Sequence, residues 1–291
     1  MYSILFCILL LWITFTWSQK ETFENIKEDI GNYLSKYFYH YAISVCQQKD
    51  FHYPSHPNLL LKYLPERIPF RSDLYQAFQQ KRITLEKLGT VADISLWECR
   101  ENWIMDTWTL LKPVIQPLLK KAIEQSDLVS ESKTIIHFRC ADTPFIKHIS
   151  YHLQRYAFFK DCLEKIHKDS KITLMNCSTH RSGKEDQEAC SQYVQKLTQY
   201  LNSLGYEVET QCKTNGEDFA DLFQAKAVIS TGGSFSFMSG FFGEGMFLSS
   251  EHSPENSCDS TECSLFMKGY NIPHEQVESY HDIEKVYTLL V

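Results

Sequence analysis

The feature that most constrains what this chain can fold into is the alternation that begins after Ser130. Short β-branched or apolar runs are separated there by amphipathic stretches of helical period. The runs are Thr134–Phe138, Ile172–Asn176, Glu207–Thr210, Ala227–Ser230 and Met246–Ser249. The stretches between them span 149–167, 187–204, 218–224 and 234–242. Strands joined by helix-length segments need crossover connections, so the pattern predicts an α/β fold with an open, doubly wound parallel sheet. Gly205 stands where the second of these helices should stop. Ligands of such sheets bind outside the carboxyl ends of the strands, which places function on residues 139–145, 177–184, 211–217 and 231–236.

Residues 21–128 have another texture, helical and rich in aromatics. In 32–47, Leu34, Tyr37, Phe38, Tyr41, Ala42 and Val45 recur at steps of three and four, which predicts an amphipathic helix just behind Gly31-Asn32. A second helix is expected over 96–111, with Trp97, Trp103 and Trp108, and a third over 113–124 with Pro113 in its first turn. Four prolines make 50–71 a loop, and no strand is strongly signalled. The expected division is a targeting segment at 1–18, a helix-rich N-terminal domain at 19–129 and a ligand-binding C-terminal domain at 130–291.

Ile4 to Trp17 is almost wholly apolar. At about 14 residues it suits the core of a signal peptide better than a spanning helix, which needs roughly 20. Thr16 and Ser18 frame a cleavage point before Gln19, while the uncharged Met1-Tyr2-Ser3 leaves an uncleaved single-pass anchor open. Either places the remainder in the secretory lumen, endoplasmic reticulum or Golgi, or outside the cell. Ten cysteines fit that compartment; without Cys7 nine remain, so at least one is unpaired or intermolecular. Cys258 and Cys263 are the best-placed local disulfide, and the sequon Asn176-Cys177-Ser178 offers a glycosylation site of open occupancy. Net charge is −7. Residues 20–129 balance at 14 basic against 14 acidic, so the excess lies after Ser130, at 15 against 22. A broad nucleic-acid surface is thereby disfavoured, and any phosphate ligand must be met by specific donors.

Two segments at predicted strand ends carry such donors. In His137-Phe138-Arg139-Cys140-Ala141-Asp142, alternation puts His137 and Arg139 on one side of the strand. A guanidinium there can clamp two phosphate oxygens, with Asp142 orienting it or bonding a ligand hydroxyl. The plainer reading is an Arg139–Asp142 pair closing the strand end, with His137 a satisfied core histidine. In Ser230-Thr231-Gly232-Gly233-Ser234-Phe235-Ser236, two glycines let the backbone approach a ligand while hydroxyls and N–H groups favour an anion. The plainer reading is Ser234 capping a helix after a tight glycine turn. His148 and His152 stand four apart without a third ligand, and no Asp-x-Asp or Gly-x-Ser-x-Gly motif is present.

Together with Ile30-Gly31-Asn32-Tyr33-Leu34 and its helix, these segments resemble, in order, motifs of the GDP-fucose-dependent GT-B fucosyltransferases. That superfamily includes α1,2-, α1,6- and protein O-fucosyltransferases. The resemblance implies two Rossmann-like domains, a reduced helix-rich acceptor half and a C-terminal donor half. It also implies inverting, metal-free transfer from a nucleotide sugar to a glycan or protein hydroxyl. Carried over, Arg139 matches the family's first, diphosphate-binding Arg and Asp142 its following Asp, which makes these two the expected catalytic residues. Asn32, His137, Asp221 (or Asp218), Thr231, Gly232, Gly233, Ser234, Phe235 and Ser236 match positions around the donor. The family's second Arg is Cys140 here, and Gly233 replaces a Ser. Those departures keep two alternatives open: a nucleotide-sugar or glycan-binding protein without catalysis, or a secreted interaction protein.

Overall fold

A computed structural model describes residues 30–58, 60–90, 102–128, 130–139, 153–166, 170–177, 184–250, 266–267 and 271–272. The targeting segment, Asp142, Cys140, His148, His152, Cys258 and Cys263 lie outside them.

Helix α1 (Ile30–Cys46) opens the described chain, followed by a two-stranded antiparallel ribbon, β1 (Phe51–His52) with β2 (Arg67–Ile68). Next come α2 (Ser72–Gln80), the single turn α3 (Leu85–Leu88) and α4 (Asn102–Gln125). The second half runs β3 (Thr134–His137), β4 (Leu153–Gln154), α5 (Tyr156–Ile166), β5 (Lys171–Met175), α6 (Lys184–Ser203), β6 (Glu207–Gln211), α7 (Asn215–Gln224) and β7 (Ala227–Ser230). It ends on α8 (Ser234–Ser236, continuing as a π-helix over Phe237–Phe241), β8 (Met246–Ser250), β9 (Phe266–Met267) and β10 (Asn271–Ile272).

Five full strands and the two-residue β9 form one parallel sheet in the order β6-β5-β3-β7-β8-β9. The chain enters at β3, winds outward through β5 to β6, then returns to β7 and winds the other way. That is the doubly wound order, and its direction reverses between β3 and β7. Register Thr134–Ala227 and His137–Ser230 brings the ends of those two strands level.

Alternation divides the strand side chains between two cores. Ile136, Ile172, Leu174, Ile229 and Leu248 face α5 and α6. Ile135, Met175, Val228 and Phe247 face the other way, in one cluster with Leu34 and Phe38 of α1, Trp108 and Leu111 of α4, Phe219 of α7 and Phe237 of α8. The N-terminal helices therefore share a core with one face of the sheet.

Four segments depart from the sequence pattern. One helix, α4, replaces the expected pair, with Pro113 and Pro117 inside it. An interior proline costs about 3 kcal/mol. Burial of Trp108, Leu111, Ile115, Leu119 and Ile123 along one stripe outweighs it, at roughly 1.5–3 kcal/mol per large apolar side chain. The helix expected over 149–167 starts at Tyr156, because Leu153 and Gln154 pair with Ile272 and Asn271 in a small antiparallel ribbon. After one α-helical turn, 234–242 loosens to a π-helix. Ser239 Oγ donates to the Phe235 carbonyl at 2.8 Å, offering the backbone an alternative partner. The proline-rich stretch also holds the β1–β2 ribbon.

Candidate functional site

The strand ends at the switch point are tied to each other. The Arg139 backbone N–H donates to Thr231 Oγ1 at 3.0 Å, and the Thr231 N–H donates to the His137 carbonyl at 3.2 Å. Each strand is thus continued one step past its ladder, and the two segments singled out in the sequence leave the sheet side by side. Arg139 is half-buried. Its guanidinium acts on His137 strongly enough to help lower the imidazole pKa.

The turn after β7 is built for glycine. Gly232 and Gly233 have φ of 109° and 102°, a region that side chains rarely adopt. Ser230 Oγ accepts from the Gly232 N–H at 2.9 Å and shares a 2.7 Å hydrogen bond with Ser236 Oγ, which knits the turn to the strand beneath it. Ser234 does not cap the helix; Gly233 holds that position without a side chain to offer. The Ser234 hydroxyl instead donates across 202 residues of sequence to Asn32 Oδ1 at 2.7 Å.

Gly31 explains that reach. A Cβ there would lie 2.4 Å from the Phe235 backbone nitrogen and 2.7 Å from the Ser234 carbonyl carbon, so only glycine lets α1 start against this turn. The α1 first turn carries no acidic residue, and its positive dipole end is set beside the turn.

His137 completes the wall. Its ring centroid is 5.7 Å from that of Phe235, and Phe235 in turn meets Phe219 of α7 at 5.7 Å. The His137 Nδ1 is buried and has no hydrogen-bond partner among the described residues. Burial, then the Arg139 charge, lowers its pKa to about 4. A neutral ring at physiological pH is a weak proton acceptor, but it can still donate or accept one hydrogen bond to a ligand.

Asp221 belongs to a separate cluster at the end of β6. Its carboxylate accepts from Lys213 Nζ at 2.7 Å and from Gln211 Nε2 at 2.6 Å. Burial works to raise its pKa, yet the hydrogen bonds from Lys213, Ser130 and Gln211 hold it below the usual value. Asp218 beside it accepts from Gln211 Nε2 at 3.0 Å and from the Lys213 N–H, and burial raises its pKa. A disulfide, Cys177–Cys212, joins the ends of β5 and β6 next to this cluster. Cys190 is also disulfide-bonded, whereas Cys46 and Cys162 are free.

Arg139, His137, Asn32, Thr231, Gly232, Gly233, Ser234 and Phe235 are therefore brought together, with Ser236 buried beneath them. Asp221 stands apart, and Asp142 is outside the described residues. The Cys177–Cys212 pair was missed in the sequence, although each cysteine sits one or two residues past a predicted strand. Adjacency of those strands was the missing signal. The disulfide fits an oxidising compartment, and among the described residues no helix is long and apolar enough to cross a membrane.

No protein-family model, curated protein or solved structure matches the chain.

Proposed function

We propose that this protein is a glycosyltransferase of the secretory lumen, or secreted, that transfers fucose from GDP-fucose to a glycan or protein hydroxyl with inversion. The observation that carries the reading is the meeting of three distant segments at the sheet's switch point. Arg139 is bonded through its backbone to Thr231, and Ser234 is bonded to Asn32. This is where doubly wound sheets take nucleotides. The finer architecture of the proposal is GT-B, with residues 19–129 forming the acceptor side and 130–291 the donor side.

In the proposed reaction the acceptor oxygen attacks the anomeric carbon. The bond from that carbon to the diphosphate oxygen breaks, its electron pair leaving with GDP. Negative charge grows on the diphosphate, and the Arg139 guanidinium with the donors of the Thr231–Ser236 turn stabilises it more in the transition state than in the ground state. Asp142, following the family pattern, orients the guanidinium. His137, with a pKa near 4, is a poor general base. Its neutral ring serves better as a wall and a single hydrogen-bond partner for the donor.

The test is transfer from GDP-fucose over a panel of glycan and peptide acceptors by wild type and Arg139→Ala. The backbone bond to Thr231 survives that substitution, so the fold should persist while the rate falls by at least about a hundredfold, the scale of losing one charge-stabilising donor. A variant with near-normal rate would refute the role. Donor binding by wild type without turnover on any acceptor would instead favour a binding protein on the same fold.

A further inference from the structure

The Cys177–Cys212 disulfide presents its two sulfurs to different surroundings. Cys212, just past β6, is exposed, while Cys177, just past β5, is half-buried. Behind Cys177 stands the carboxylate of Asp218, from the first turn of α7, which is only 4% exposed. Its Oδ2 lies 3.7 Å from Cys177 Sγ, and both sulfurs and a carboxylate oxygen fall within 4.8 Å of one another.

A disulfide sulfur carries no proton and gives that oxygen no hydrogen bond. Asp218 takes its bonds elsewhere, from Gln211 Nε2 at 3.0 Å and from the Lys213 backbone N–H at 3.2 Å. Burial raises its pKa, and the Asp221 charge one turn on acts in the same direction. The bonds from Gln211 and Lys213, with the Lys213 charge, oppose the rise. The Lys213 ammonium is itself held by Asp221 at 2.7 Å, and Glu217 accepts from the Thr214 N–H and hydroxyl.

Thiol–disulfide exchange proceeds by thiolate attack on one sulfur while the other leaves, so it depends on which sulfur is reached and how well its partner departs. Here the reachable sulfur is Cys212 and the leaving one is Cys177. A thiolate forming beside an ionised buried carboxylate is penalised by like charge; a protonated carboxyl there supplies the proton instead.

We propose that Cys177–Cys212 is a reactive disulfide that exchanges with small thiols of the glutathione type, with Asp218 as its proton donor and acceptor. A thiolate RS⁻ attacks Cys212 Sγ and forms a mixed disulfide. The bond between the two cysteines breaks, and its electron pair goes to Cys177 Sγ, which takes the Asp218 proton. A second thiolate attacks the RS sulfur of the mixed disulfide, forming RSSR and releasing Cys212 as a thiolate. Asp218 and Cys212 then take protons from water; two electrons have passed from two small thiols to the protein. In reoxidation Asp218 accepts the Cys177 proton as that sulfur attacks the mixed disulfide. The proposal does not rest on the nucleotide-site reading.

The experiment follows opening of this disulfide in the full chain by reduced glutathione, read by alkylation and peptide mass. Rates are taken from about pH 5 to about pH 8 and divided by the thiolate fraction of the reductant. Per thiolate, the wild-type rate should fall about tenfold or more across that range as Asp218 loses its proton, a loss of the order expected for a general acid. Asp218→Asn should give a flat profile. Brief exposure quenched by alkylation should place glutathione on Cys212. The wild-type profile and the position of that adduct keep the test valid if the variant folds poorly. A wild-type rate that does not fall, a variant that still shows the fall, or an adduct on Cys177 overturns the proposal.

Discussion

His137 and Glu209, on the same face of the sheet, give proton linkages of the same sign in different pH windows. The His137 pKa near 4 lies below the ordinary imidazole value of about 6.5, so between the two the unfolded chain holds a proton that the native one refuses. Its contribution is therefore complete above about pH 6.5 and is lost as pH falls towards 4. His137→Asn should flatten the fall in melting temperature across that window; a profile as steep as wild type would show that the ring titrates normally. Glu209, held near 2, contributes stability above the usual glutamate value of about 4.3, lost only as pH falls towards 2. Its window is distinct. Asn176 gives another prediction at this scale. Its Nδ2 donates to the Phe138 carbonyl at 2.7 Å and its neighbour Cys177 is in a disulfide, so the sequon is consumed by structure. Digestion with an amidase that removes N-glycans should leave the mass of the Asn176 peptide unchanged, and a glycan found there would contradict the fold at the end of β5.

At the scale of elements, the decisive joint is α1 against the turn after β7. Gly31→Ala would drive a methyl into the Phe235 backbone, which cannot yield as a side-chain end would. The expected loss is about 1–3 kcal/mol of stability, with weaker binding of the proposed nucleotide as Asn32 is moved off Ser234. Unchanged melting and binding would mean that α1 does not start there. This joint also marks how far sequence can be read. Strands β5, β6, β7 and β8 follow from local β-branched or apolar runs, and α1 from its apolar period, because those signals are contained in each segment. The Asn32–Ser234 bond joins residues 202 apart and has no local signature. The unbroken α4 was misread for the converse reason: proline is a local stop signal, while the buried stripe that overrides it exists only after packing. Glycines 232 and 233 are legible as permissive backbone and Gly31 only as part of the motif before a helix, while what each glycine admits, a helix at 31 and positive φ at 232 and 233, depends on the assembled fold.

For the whole molecule, the winding order β6-β5-β3-β7-β8-β9 places every sequence-nominated strand end on one edge. The Cys177–Cys212 disulfide fastens the outer part of that edge and closes a loop of 35 residues. By the chain-entropy relation, removing it in the double variant Cys177→Ser, Cys212→Ser should cost about 3–4 kcal/mol. The Lys213–Asp221 and Gln211–Asp218 bonds next to it should loosen too. A melting temperature unchanged by the double substitution, or by reductant, would show that the staple adds nothing. The most direct measurement of the central claim is calorimetric titration of wild type and Arg139→Ala with GDP, GDP-fucose, GDP-mannose and a UDP-sugar. The account predicts saturable binding of the guanine nucleotides by wild type and its loss in the variant at unchanged melting temperature. Absence of guanine-nucleotide binding, or equal binding by both proteins, would contradict it.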